Sequence, residues 1–256
     1  MSNRTTDQLE SYLEERYVSL HDIAERTGLA ADRLEDLIAS GCMPGASYER
    51  RHREEIWAHI NGAADTVSLK TISRHFAADV VTWVLSIAPR LEGSSPRRLA
   101  PVLKEELRTG FLDGLVRHGG AEIAYGGFMS EDGAIDRKGF DIHFEAYVWT
   151  NWRAGTWGIC VHDSWDIRNI ARKTVAVERL KRLTGDGTRT SYSPVEARKV
   201  RHAMAEYDAI VPPFSPHDRH EASRARLVDA LADAVSYVPA SRRAGAAPLS
   251  FRNRPS

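Results

Sequence analysis

The sequence predicts an α+β protein, with an N-terminal helix-turn-helix-like module followed by helices packed on a mainly antiparallel sheet. Three observations carry that reading. Capped segments with helical apolar spacing fill the first sixty residues and return after Asp166; Asp141–Ser164 alternates with period two; and glycine-rich turns lie between. The chain divides into a helical module at 1–62, an α+β domain at 63–238 and a tail at 239–256 rich in Ala, Arg, Ser and Pro.

In the first module Thr5 and Gln8 start a helix carrying Leu9, Tyr12 and Leu13. Ser19 and Asp22 start a second, closed by Gly28, and Ala30 to Ser40 form a third that buries Leu34 and Leu37 before Gly41. Helix, tight turn, helix and GCMPGASY resemble the entry to a winged DNA-binding module. Charge argues against nucleic acid: through Ile60 there are seven arginines and twelve acids, a net of −5, and ADRLEDLIAS, in the recognition position, carries three acids and one arginine. A protein partner suits that acidic surface better. The next helix expected carries Ile56, Trp57 and Ile60 behind a basic cluster at Arg50–Arg53.

From Ser68 a helix is expected through Ile87, with Ile72, Phe76, Val80, Trp83 and Ile87 as its apolar stripe and with His75 and Asp79 one turn apart, His75 being a candidate ligand contact. Ser95 and Pro96 begin the following helix. Short strands and turns are expected over AEIAYGGFMSEDGAIDRKGF, where no phosphate-loop spacing occurs, so no nucleotide cofactor is implied and none is assigned. Ile167, Ile170, Val175, Val177 and Leu180 define a helix with a basic outer side; Ser193, Pro194 and Glu196 start another, ended by Pro212 and Pro213; Leu227, Leu231 and Val235 mark a last one.

The chemistry is sought in DIHFEAYVWTNWRAGTWGICVHDS, read as two antiparallel strands. Residues whose numbers sum to 307 then face each other, which sets Glu145 beside His162 and Tyr147 beside Cys160. His143 or His162 would transfer a proton, Glu145 orient it and Tyr147 polarise a ligand, with Cys160 as an alternative nucleophile. Asp141, Trp149, Arg153 and Arg172 are candidate ligand contacts, the arginines for carboxylate or phosphate. His143, Glu145 and His162 also form a weak metal-ligand pattern, and no metal is assigned. A satisfied polar network with no ligand is the competing reading of the same face.

Composition bounds the partners. The 256 residues carry 35 basic and 35 acidic side chains, and 42% are hydrophobic. That balance permits a substantial core and opposes coating of nucleic acid or anionic membrane. Two distant cysteines, no signal-peptide pattern and no apolar run of bilayer length give the expectation of a cytoplasmic protein acting on or binding a small molecule, without a membrane role.

At GCMPGASYE, SEDGAIDRKGF and HFEAYVWTNWRAGTWGICV the chain resembles an uncharacterised actinobacterial protein family associated with natural-product biosynthesis, over most of Tyr12 to Pro213. The resemblance implies a metabolite-processing or accessory protein and transfers no catalytic residue. Whether it is an enzyme, a noncatalytic adaptor or a small-molecule-binding protein stays open at this point.

Overall fold

The computed structural model describes residues 2–52, 55–58, 73–215 and 218–237, with side chains described from residue 8 onward and not at 51–57. Helix α1 (Ser2–Arg16) leads through β1 (Tyr17–Val18) into α2 (Leu20–Thr27) and α3 (Ala31–Ser40). Both expected signals at α2 are in place: Ser19 and Asp22 form a reciprocal capping box, and Gly28 closes the helix. Gly41 closes α3, burying Leu34 and Leu37 as the spacing required.

A small sheet follows. Strands β2 (Tyr48–His52), β3 (Glu55–Ala58) and β4 (Ser73–Ala77) join β1 in the antiparallel order β1-β4-β2-β3. Tyr48 lies opposite both Ala58 and His75, and Tyr17 opposite Ala77. The sheet takes strands from both sides of the expected boundary at 62/63, which itself falls outside the described residues, as do the linker from Asn61 to Ser68 and the tail at 239–256.

Two expected helices are corrected here. Ile56 and Trp57 belong to strand β3. The helix expected from Ser68 is strand β4 in its described first part, and only α4 (Val80–Leu91) is helical, so His75 and Asp79 do not share a helix face. Phe76 is buried in either geometry, which is why the apolar pattern misled.

The rest is helical. α5 (Pro96–Arg117) packs along α9 (Ile167–Thr184). The approach is close because a Cβ on Gly110 would stand 2.6 Å from Ile167 and one on Gly114 would stand 2.6 Å from the Ala171 side chain. α10 (Pro194–Asp208) lies against α9 and starts at the expected Ser193–Glu196 capping box. The last expected helix is a run of turns around a single π segment, Ala225–Asp229, although Leu227, Leu231 and Val235 are buried as expected.

The central hairpin expected at 141–164 is absent, and so are the strands expected before it, where short 3-10 turns and one isolated bridge, Met129 to Ile135, stand. In their place α6 (Arg137–His143) runs through a π segment (Phe144–Trp149) into α7 (Thr150–Arg153), with α8 (Trp157–Cys160) beyond. The buried stripe is Phe140, Phe144, Val148 and Trp152, spaced by four, while Ile142 is 60% exposed and Ala146 is exposed too. A strand would have buried those two. Asp136, whose carboxylate accepts from the Lys138 N–H, is the cap that starts the helix.

Candidate functional site

Loss of the hairpin rearranges every residue expected on its polar face. Residues two apart on a helix do not face each other, so Glu145 parts from His143 and Tyr147, which lie four apart and stay together. Glu145 is exposed and binds Lys104 Nζ at 2.7 Å; Asp141 is exposed and binds Arg108 Nη1 at 2.8 Å. His162 lies elsewhere, its backbone N–H donating to the Ile210 carbonyl at 2.7 Å and its side chain more than a third exposed. The Glu145–His162 pair is therefore not formed. Among the described residues, no three His, Cys, Asp or Glu side chains group to hold a metal ion, so the weak ligand pattern does not assemble.

Three of the expected residues do approach one another, around a lysine the sequence reading passed over. His143 Nε2 lies 3.3 Å from the Tyr125 hydroxyl, and its ring is 5.3 Å from that of Tyr147. Tyr147 meets Trp157 edge to face at 5.4 Å, and Lys173 Nζ lies 5.4 Å from the centre of the same indole. Lys173 also adjoins Cys160, which is fully buried. Burial pushes the Cys160 thiol up against the opposing influence of Lys173, and burial lowers His143 against the opposing Glu178. A neutral thiol under a closed indole is a poor nucleophile. The basic outer side expected for α9 hid this inward lysine, which packs among aromatic rings instead.

The other candidate contacts have partners within the chain. Trp149 stacks on Trp152 at 5.2 Å and fits against Gly41, and the Arg153 carbonyl accepts from the Gly45 N–H at 2.9 Å. His75 Nε2 lies 3.2 Å from Ser73 Oγ, and its pKa is lowered by burial and by Arg50.

Arg172 is different. It lines a hollow of about 250 Å³ with Arg117 and His118 from the end of α5, Arg179 from α9, and the acids Glu122 and Glu206. Arg179 is committed: it donates to Glu206 at 3.0 Å and to the His118 carbonyl at 3.1 Å, and meets Glu122 at 3.4 Å. Among the described residues, neither Arg117 nor Arg172 has a carboxylate within ion-pair distance. His118 titrates below the usual histidine range, first because it is partly buried and then because Arg172 and Arg117 repel its charged form. The hollow carries an excess of positive charge that its own acids do not cancel. Arginine spacing on α9 could have flagged Arg172 and Arg179 together, seven residues apart on one face, but Arg117 joins them only through tertiary packing.

Among the described residues of the helix-turn-helix-like module, the helix in the recognition position presents an acidic face. α3 exposes Asp32, Glu35 and Asp36; Arg74 is ion-paired to Glu35, and Arg153 Nη2 donates to the Ala39 carbonyl at 3.5 Å at the end of the helix.

Residues 118–236, a little under half of the chain, match a family described as a family of unknown function (DUF6058). That description carries neither a biosynthetic nor a taxonomic assignment. No curated protein and no solved structure matches the chain. The matched span contains Arg172, Arg179, Glu122, Glu206 and His118, with Arg117 just outside it. No described helix is long and apolar enough to cross a membrane.

Proposed function

We propose that this chain is a binding protein for a small anionic metabolite, a carboxylate or a phosphate ester, held in the hollow between the end of α5, α9 and α10. One observation carries the reading: Arg117 and Arg172 face a common hollow of about 250 Å³ with no carboxylate partner among the described residues. Guanidinium groups left uncompensated in a concave site gain most from a bidentate acid, and a hollow of about 250 Å³, just under the usual range of ligand pockets, restricts it to a small one. In the natural-product setting that the sequence resemblance suggests, the ligand is an acidic intermediate and the protein an accessory one. A proton-transfer enzyme centred on His143 has less support, because Glu145 and His162 do not join that histidine. A protein partner on the acidic α3 face and binding to duplex DNA are weaker still, the latter because phosphate neutralisation needs basic side chains there.

Inorganic phosphate, glycerol phosphate and succinate, each titrated against the full chain, test the proposal by thermal unfolding. A ligand at about a hundred times its Kd stabilises the native state by roughly 2.7 kcal/mol. Arg172→Ala is expected to lose that stabilisation at the same ligand concentration. If none of the three anions stabilises the protein, or if the variant responds like the parent, the reading fails.

A further inference from the structure

A second cavity, built oppositely in charge, is lined by Val80 and Trp83 of α4. It is small, about 20 Å³, and sits where the sheet meets α7 and α8. Its walls include four indoles, those of Trp83, Trp152, Trp157 and Trp165, and two polar side chains, Asp79 and Ser164, face it along with Ser47. Trp83 and Trp152 meet edge to face at 5.7 Å. The Trp83 Nε1 donates to the Cys42 carbonyl at 2.7 Å and the Trp157 Nε1 to the Val148 carbonyl at 3.0 Å. Those two rings therefore keep no N–H donor for the cavity.

Asp79 is the charged group in that wall. It stands at the junction of β4 and α4, where its carboxylate makes no cap to its own helix. Instead it accepts from the Ser164 hydroxyl at 3.0 Å, beside the backbone of Ser164 and Trp165. Among the described residues it has no ion pair, and the charged neighbour acting on it is another acid, Asp163. Burial and Asp163 accordingly hold its carboxyl above the usual range, against the hydrogen bonds from Ser164 and Trp165. An acid held by the Ser164 hydroxyl, without an ion-pair partner among the described residues and beside indole rings, whose faces attract cations, suits a cationic group.

Size narrows the chemistry. A site needs roughly 10–15 Å³ of this kind of space to hold one water, so about 20 Å³ admits one head of ammonium size and excludes a guanidinium or a quaternary ammonium. We propose that this tryptophan-walled cavity binds the terminal ammonium of a small primary amine, with Asp79 as its counterion, the indoles as its walls and the alkyl chain leaving through the mouth. The site is separate from the arginine hollow and does not depend on the function proposed for it.

The test is a calorimetric and tryptophan-fluorescence titration of the full chain with n-butylamine at neutral pH, alongside n-butanol and tetramethylammonium. n-Butylamine, protonated, is expected to bind saturably. n-Butanol, equal in length and uncharged, should require at least about tenfold more ligand, a difference of about 1.4 kcal/mol, and tetramethylammonium should not saturate the same signal. Asp79→Asn keeps an oxygen for Ser164 and removes the charge; it should weaken n-butylamine by about tenfold or more. Arg172→Ala should bind n-butylamine unchanged. Equal binding of amine and alcohol, no saturable amine binding, or parental affinity in folded Asp79→Asn would each overturn the proposal. Should that variant not fold, the amine-to-alcohol comparison on the parent chain still decides.

Discussion

Gly155 is where the sheet and the central helices are pressed together, and replacing it with alanine measures that contact. Its φ is +77°, and a Cβ there would stand 2.3 Å from the Gly45 carbonyl oxygen and 2.7 Å from the Ala46 carbonyl carbon. The left-handed backbone alone costs a non-glycine residue about 1–2 kcal/mol. The collision is with backbone that is itself fixed, since the Gly45 N–H donates to Arg153 and the Ser47 hydroxyl donates to the Gly155 carbonyl at 2.8 Å. Overpacking of that kind adds about 1–3 kcal/mol, for a sum of about 2–5 kcal/mol. Gly127→Ala is the control, because Gly127 has a φ of +72° with nothing within 4 Å of a built Cβ, and it should lose only the backbone part, about 1–2 kcal/mol. Urea unfolding followed by tryptophan fluorescence reads the seam directly, since Trp152 and Trp157 flank the substitution and line the adjoining cavity. With a slope of roughly 3 kcal/mol per molar urea, Gly155→Ala should lower the midpoint by roughly 0.7–1.7 M. A midpoint no lower than that of Gly127→Ala would refute the close contact.

Two further outcomes follow from the burial of titratable groups. His75, His118, His143 and His162 all titrate below the ordinary histidine value, each first because of burial. The unfolded chain therefore binds more protons; this contribution to stability is complete above about pH 6.5 and is lost as pH falls through the lowered values. Asp79, raised by burial, has the opposite sign, so the fall in urea midpoint from pH 7.5 to 5.0 should be steeper in Asp79→Asn than in the parent; parallel profiles would contradict this. Neither cysteine should react with a thiol reagent in the native protein, because burial raises both thiols and Cys42 Sγ donates to the Pro96 carbonyl at 3.1 Å. Both should react after denaturation, and native labelling of Cys160 at the rate of a free thiol would show that its packing is wrong.

What could be read from the sequence was what local chemistry decides. The capping boxes at Ser19 and Ser193 need only residues three apart, and both helices start where those residues place them. The stretch from Asp141 failed for an equally physical reason: it contains two periods at once. Phe144 and Val148 belong both to an alternating set with Ile142 and Ala146 and to a four-residue stripe with Phe140 and Trp152. Only the fate of Ile142 and Ala146 separates strand from helix, and Asp136, an N-cap just ahead, was the local signal that breaks the tie. The absence of the hairpin carries the chemistry with it, since parity had been the sole reason to join Glu145 to His162.

The two sites now proposed depend on approaches that no window of sequence contains. Arg172 was identifiable by residue type, but its meeting with Arg117 is set by α5 lying close enough to α9 that Gly110 and Gly114 tolerate no side chain. Asp79 was noticed for the wrong neighbour, His75 one helical turn away, whereas a strand ends between them and turns the carboxylate toward Ser164 instead. In both places glycine brings distant elements together: Gly110 and Gly114 bring in the arginines, and Gly155 and Gly158 bring the sheet to the tryptophans. A Cβ on Gly158 would stand 2.5 Å from the Ala77 side chain and 2.6 Å from Ser47 Oγ, so the aromatic cavity exists only while that position has none. Substitutions at these glycines should therefore abolish one binding activity and spare the other, which neither a general loss of stability nor a single shared ligand site would do.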